Sequence, residues 1–413
     1  MKCSAYDMLP QRIGIIADDL TGATDTAAVF AAAGFRSAVA IDSKKLNTSE
    51  AEVLCVTTNT RQEKPELAAS KVRQASQRLR RAGYAIRYKK LDSTAKGNIL
   101  AEAVALRDDL GFPKILICTA NPKHGRTVIH GTLWIRNETA VDLRLRFKGQ
   151  TSGDILWVHQ PISATRLQRM LPGSPSVWVC DAADAKDLSK LVRWAEAHPG
   201  EFLLTGSAGM AVELAELLKS ESMLAGHSPG KRVRSEPASP PLPGGRKPVL
   251  LIIGSNDPRT AEQLEALTQQ RLTLQLNPTA SLPLALESTL IRAGVVVLRL
   301  PVNQAAPEFL RRCLKPLKPL LAEQRFGSLL MSGGDTALLV CEWLGTTGIA
   351  IGGELLPGLV WGRLQEGISP GLVVCTKPGG FGTGESLVTA TDLLTGERTQ
   401  VKAAKPKNPV ARS

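Results

Sequence analysis

This chain has little of what usually betrays a function. Its seven cysteines (Cys3, Cys55, Cys118, Cys180, Cys313, Cys341 and Cys375) include no CxxC pair, which excludes a disulfide framework and argues against a zinc or iron–sulfur centre. Most lie in apolar runs such as ILIC and LVVC, where a reduced thiol packs as a small hydrophobe, so a reducing, cytoplasmic setting is expected. Aromatic residues make up only 4% of the chain, and none interleave with basic patches as on a nucleic-acid-binding surface. No apolar run approaches the roughly 18 residues that a bilayer span needs. The opening MKCSAYDMLPQR lacks the apolar stretch of a secretory signal, and no membrane partner is expected. GxxxxGK[ST], a strand-linked GxGxxG and HExxH are all missing, and TGSAGMA lacks the first glycine of a nucleophile elbow. The five histidines show no ligand spacing, so no metal ligands are assigned. His124 and His130, on either side of GRTVI, read as loop residues.

Positive charge is in excess, but it is localised. The net charge is +13. Residues 226–247 carry +4 of it and residues 398–413 carry +5, leaving the rest of the chain nearly neutral. Both segments are rich in Pro, Ser, Gly or charge and read as disordered. Nucleic acid is therefore not an expected partner. GHSPGKRVRSEPASPPLPGG reads as a linker, and the chain is longer than one core usually serves. The expected division is a domain at 1–225, a linker at 226–247, a second domain at 248–397 and a basic tail at 398–413.

On both sides of the linker, strand-length apolar runs alternate with helical patterns. The runs are IGIIA, EVLCVTTN, AIRYKKL, KILICTA, SVWVCDA and EFLLTGS, then VLLIIGS, LTLQLN, GVVVLRL, SLLMSGG, TGIAIGG and GLVVCTK. Helices are expected at 23–33, 66–82, 98–110, 163–171, 184–197, 208–219, 258–269, 305–323 and 335–344. Continuous β-branched runs suggest strands buried on both faces. The fold class expected is α/β: two domains with mainly parallel sheets and a cleft between them.

The strand ends carry the chemistry. IGIIA stops at adjacent carboxylates, Asp18 and Asp19, and Asp25 follows one helical turn into an alanine-rich helix closed by Gly34. A helix cap accounts for one aspartate; paired acids at a strand end point to a site, because they are costly to bury without a partner or a task. Asp18, Asp19, Arg61, Lys90, Asp92, Ser93 and Arg126 mix cations and acids, which suits a small polyhydroxylated anion. The second half offers glycine turns instead: Ser255 after VLLIIG, SGGDTA at 332–337 with a cap expected at Asp335 or Thr336, and KPGGFGTGE at 377–385. Glycine admits close backbone approach and helix N-termini attract phosphate. Three such turns in one domain point to nucleotide binding.

The ordered motifs resemble those of the four-carbon acid sugar kinases: ADDLTGATD at 17–25, KLDSTAKGN at 90–98, GRTVIHGTL at 125–133, GSAGMA at 206–211, GSNDPRTAEQ at 254–263, SGGDTA at 332–337 and KPGGFGTGESL at 377–387. The chain departs from the family at TANPKHGR, at IRNETAVDLRLRFKGQTSG and at SNDP. The resemblance implies an ATP- and Mg²⁺-dependent kinase that phosphorylates threonate, erythronate or a 3-oxo-tetronate on its terminal hydroxyl. It places substrate contacts on Asp18, Asp19, Arg61, Lys90, Leu91, Asp92 and Ser93, with Arg126 from the residue reading. ATP contacts fall on Ser255, Gly333, Gly334, Asp335, Thr336, Gly379 and Gly380. Asp18 or Asp19 would orient or deprotonate the attacking hydroxyl. On this division Arg61→Ala weakens the acid alone and Gly334→Val the nucleotide alone. A non-catalytic sensor of a sugar phosphate or nucleotide would keep the glycine turns without needing the paired acids. Assembly into a homo-oligomer is left open.

Overall fold

The computed structural model describes residues 12–46, 50–150, 153–224, 248–276, 294–300 and 307–396. The linker at 226–247, the tail at 398–413 and Cys3 lie outside them. The first half contributes β1 (Arg12–Ala17), β2 (Ser37–Ala40), β3 (Val53–Thr57), β4 (Tyr84–Lys90), β5 (Lys114–Cys118), β6 (Arg126–Ile129), β7 (Thr132–Ile135), β8 (Thr139–Asp142), β9 (Ile155–Val158), β10 (Val177–Cys180) and β11 (Phe202–Gly206). The second contributes β12 (Val249–Ile253), β13 (Thr273–Leu276), β14 (Val295–Arg299), β15 (Ser328–Ser332), β16 (Gly348–Leu356), β17 (Leu359–Gln365) and β18 (Val373–Lys377).

The apolar runs read as two-faced strands behave that way. In β1, Ile15 and Ala17 pack with Leu20, Ala23, Ala27 and Phe30 of helix α1 (Leu20–Ala32). Ile16 points to the other layer, against Val72, Ala75 and Leu79. The same division puts Leu250 and Ile252 in one layer and Val249, Leu251 and Ile253 in the other. Burial on both faces removes water from every ladder bond, which is why these runs contain so little alternation.

The expected pair of separate sheets is instead one. Fifteen strands run in the order β13-β14-β12-β15-β18-β17-β16-β2-β3-β1-β4-β11-β5-β10-β9. The halves join where β16 pairs antiparallel with β2, through Gly348↔Ala40, Ile349↔Val39 and Ala350↔Ala38. Two strands are responsible for this outcome. β2 (SAVA) is too short for a period to declare itself, and TGIAIGG continues through Glu354 into a hairpin with β17 that faces the seam. A separate sheet, β6-β7-β8, forms where the GRTVIHGTL motif runs into the departing stretch that follows it. The 305–323 helix is broken into Pro307–Leu314, a 3₁₀ turn at Lys315–Leu317 and Lys318–Ala322, where the prolines interrupt it.

Two switch points follow from the order. β3 and β4 flank β1, and β14 and β15 flank β12, so each half has a crevice at the carboxyl ends of its central strands. Strands of the two halves run in opposite directions across the seam. Bulges in β16 near Gly353 and Glu354 add to the sheet's twist there. The two halves meet at α1, which packs against β16, β17 and β18 as well as β1, β2 and β3.

The seam is testable. A Cβ on Gly348 would lie 2.5 Å from the Val39 carbonyl oxygen, so Gly348→Val should push β2 from β16. Overpacking of this kind costs about 1–3 kcal/mol. Urea denaturation should record that loss; an unchanged midpoint would mean that β2–β16 pairing contributes little.

Candidate active site

The first half supplies charge. Asp18 and Asp19 follow β1, and extended backbone at Asp19 makes it the N-cap of α1: its Oδ1 accepts from the Gly22 amide at 2.8 Å and its Oδ2 from the Thr21 hydroxyl at 2.6 Å. The cap explanation thus holds for one aspartate and not for its neighbour. Asp18 is buried, and its Oδ1 has no hydrogen-bond partner among the described residues. Arg61, from the loop after β3, joins the acids: Nε is 2.8 Å from Asp18, and Nη2 is 3.0 Å from Asp19 and 3.6 Å from Asp92. Burial pushes the Asp19 carboxyl up, and Asp18 adds to this against the pull of Arg61 and Lys90. At Asp92 burial raises, but Arg61, the Thr94 hydroxyl and Lys90 outweigh it and hold the carboxyl low. Arg61 also lines a cavity of about 500 Å³ with Asn98, Arg146 and Gln150.

KLDS does not present four equivalent contacts. Lys90 is buried, and its Nζ donates to the Leu91 carbonyl at 2.7 Å. Leu91, just past the end of β4, is a core residue, 1% exposed, so its side chain belongs to the core rather than to a surface that a ligand could touch. Ser93 is half-buried in the turn that Asp92 organises by accepting from the Thr94 and Lys96 amides. Lys89 is no solvated lysine either: it is fully buried, 2.8 Å from Glu102. Asp25, half-buried on the cleft side of α1, has no hydrogen bond or ion pair among the described residues, and burial raises its carboxyl.

The second half supplies glycine. A Cβ on Gly254 would collide with the Thr336 hydroxyl, and one on Gly379 with Ser255 Oγ. Gly333, at φ 107°, is the N-cap of the helix Gly334–Leu344, so the cap expected at Asp335 or Thr336 lies earlier. A glycine serves there because β15 turns into the helix through a left-handed step closed by Gly333 N to the Lys377 carbonyl. Thr336 is buried and Asp335 exposed. Asp257 caps the helix Pro258–Gln270, with Pro258 at its first position. Gly380 lies against Asp257, 3.0 Å from the Oδ2 to where its Cβ would stand.

The two motif sets face each other. A Cβ on Gly334 would lie 3.0 Å from Asp19 Oδ2 and 3.3 Å from Thr21 Oγ1. The Thr24 and Thr376 hydroxyls meet at 2.9 Å, Gln62 donates to Asp335 at 3.2 Å, and Lys123 pairs with Glu354 at 3.1 Å. Phe381 is the contact that sequence reasoning missed. It packs against His124, with ring centroids 5.1 Å apart and the rings tilted by 57°, and the Arg126 guanidinium lies 4.8 Å over its ring. Arg126 is buried with an unpartnered Nε, and desolvation lowers its pKa. A loop phenylalanine amid glycines gave no periodic signal. A larger cavity, about 620 Å³, opens beside the seam between Lys44, Lys71, Arg78 and Glu342 and contains none of the residues singled out in the sequence.

Comparison with known proteins agrees with this architecture. Residues 13–146 match the sugar-binding N-terminal domain family and residues 299–387 the nucleotide-binding C-terminal domain family. A D-threonate kinase of Bordetella bronchiseptica is 28% identical over 92% of this chain and 97% of its own. A D-erythronate kinase of Heliobacterium modesticaldum is 25% identical over 92% and 96%, and a 3-oxo-tetronate kinase of Brucella melitensis 27% over 90% and 93%. Crystal structures of a Haemophilus influenzae and a Salmonella typhimurium protein share the fold, with TM-scores of 0.65 and 0.69 at 22% identity; they cover 92% of this chain and 100% and 98% of their own. The chain belongs to the four-carbon acid sugar, or tetronate, kinase family.

The charge cluster makes its own prediction. Arg61→Leu leaves Asp18, Asp19 and Asp92 crowded without their shared cation. Losing one partner of a buried pair costs about 3–5 kcal/mol, and with a quarter of the Arg61 side chain exposed we expect roughly 2–3 kcal/mol at pH 7. Without that cation, burial pushes the Asp19 carboxyl further up and Asp92 loses the largest pull holding it low, so the deficit should shrink as pH falls from 7 towards 5. Urea denaturation at both pH values checks this; a deficit that grows on acidification is incompatible with the cluster as described.

Proposed function

We propose that this member of the tetronate kinase family transfers the γ-phosphoryl group of ATP to the terminal hydroxyl of threonate, erythronate or a 3-oxo-tetronate, giving the 4-phosphate and ADP. The single observation that carries this reading is the abutment of Gly334, first residue of a helix N-terminus, on the Asp19 carboxylate. Phosphate bound at such an N-terminus would lie beside the acid pair. On this reading residues 1–225 hold the acid and 248–397 the nucleotide.

In the reaction the substrate oxygen bonds to the γ-phosphorus while the bond to the bridging oxygen of ADP breaks. Asp18 or Asp19 orients the attacking hydroxyl and takes its proton; the unpartnered Asp18 Oδ1 is a place for a hydroxyl to donate. Arg61 and Lys90 offset the acids and leave a basic border towards Arg126 for the substrate carboxylate. Ser255, Gly333 to Thr336, Gly379 and Gly380 line the nucleotide side, where the clashing Cβ positions at Gly254 and Gly379 fit a cradle that must stay bare. Mg²⁺ would reach the site on the ATP phosphates and neutralise their charge. A different group, His130 of the β6–β7 turn with His159 after β9 and Asp181 after β10, has metal-ligating atoms close together. It fits that ion poorly, because Arg144 stands 3.0 Å from His159 Nε2.

An ADP-release assay over the tetronate stereoisomers and their 3-oxo forms tests the reading, and turnover of none of them with ATP bound would sink it. Asp19→Asn keeps a capping side chain and should retain ATP affinity while losing about 100-fold or more in rate; a sensor would keep its function. Arg61→Ala should raise the KM for the acid about 10- to 150-fold, the worth of one charge-assisted bond, with ATP affinity little changed. Gly334→Val no longer separates the ligands, because its side chain would press on Asp19. Gly379→Val, which meets Ser255, is the variant expected to weaken ATP and spare the acid.

A further inference from the structure

Lys377 ends β18 with no exposed surface, and its ammonium is not used by the account above. Nζ lies 2.8 Å from the Gly379 carbonyl oxygen, 3.2 Å from that of Pro378 and 3.2 Å from the Thr260 hydroxyl. It forms no ion pair with any described residue. A buried ammonium held only by neutral oxygens is costly unless an anion completes the site.

The turn above it supplies the second observation. In a planar trans peptide, a carbonyl and the following N–H point in opposite directions. With the Pro378 and Gly379 carbonyls drawn towards Nζ, the amides of Gly379 and Gly380 face away from it. Neither amide has a hydrogen-bond partner among the described residues. Two successive free amides backed by a buried cation form an anion-binding concavity. Gly379 packs beside Ser255 Oγ, and the Thr260 hydroxyl lies between Ser255 and the turn, 3.2 Å from that Oγ and 3.0 Å from the Gly379 carbonyl.

We propose that Lys377 is a positioning residue of the nucleotide site: it orients the Pro378–Gly380 turn so that two amides face the ligand, and it supplies buried positive charge to a polyphosphate chain. This deepens the ATP reading and rests on it for the identity of the ligand, but the polyphosphate chemistry can be tested without turnover. The charged and titratable groups around Nζ are Asp257 and Arg259 at the start of the helix Pro258–Gln270 and Cys375 on β18. Burial lowers the lysine, Asp257 and Cys375 raise it, Arg259 lowers it, and the balance is a pKa of about 8.

The probe is inorganic tripolyphosphate, titrated calorimetrically into the full chain, with ATP in parallel. Wild-type affinity should fall as pH rises through about 8, approaching tenfold per unit by pH 9.5, as the ammonium loses its proton. Lys377→Met should bind tripolyphosphate about 10- to 150-fold more weakly at pH 7 and without that pH dependence. Lys377→Arg should keep part of the affinity and lose the pH dependence, since guanidinium does not titrate there. Wild-type affinity that is flat from pH 7 to 9.5 overturns the proposal. So does a Lys377→Met variant that melts like the parent and binds like it. If tripolyphosphate binding depends on Lys377 while no tetronate is phosphorylated, the kinase reading fails and this one stands.

Discussion

Three residue pairs between β2 and β16 are the constraint on which the rest of the molecule depends. They turn two sheets into one and place α1 across the join. The contact is close because the residues are small: Ala38, Ala40, Gly348 and Ala350 leave the backbones free to pair, and the alanines of α1 let the helix lie near both sets of strands. The acid pair sits immediately before the first turn of α1, with Asp19 as its cap. The seam therefore decides where Asp18 and Asp19 stand relative to the glycine turns of the other half.

Around that join the charges are divided between the halves. The first half gathers three carboxylates on one guanidinium, with buried Lys90 behind them. The second presents bare backbone with a buried ammonium beneath it. Each half is electrostatically incomplete in a way a substrate could satisfy: unpartnered carboxylate oxygen on one side, unpartnered amides on the other. Phosphoryl transfer requires little covalent help from a protein and much positioning, and this arrangement provides positioning.

Much of this was legible in the chain. IGIIA followed by Asp-Asp gives a strand, a helix cap and a crevice in seven residues, and the helices expected at 66–82, 98–110, 184–197 and 258–269 each lie within two residues of those observed. What was not legible depends on distant partners. SAVA looks like loop until β16 pairs with it. The β6-β7-β8 sheet lies in a polar stretch whose strands are four residues each, too short for a period. Leu91 reads as part of a binding motif while its side chain lies in the core, because a motif records chain position and not the direction of a side chain. Phe381 and Lys377 join the site through one turn, where neither 3.6 nor 2 residues is the relevant period.

The shared sheet also bears on how the polypeptide could be divided. A cut between Leu224 and Pro248 would part the halves covalently while leaving β2 and β16 as naked edges, each with unpaired amides and carbonyls. Such fragments have complementary edges and complementary faces of α1, so they would reassemble when mixed and aggregate when alone. The protein is in that sense a natural substrate for fragment complementation, with the helix that carries the acid pair serving as the fastener.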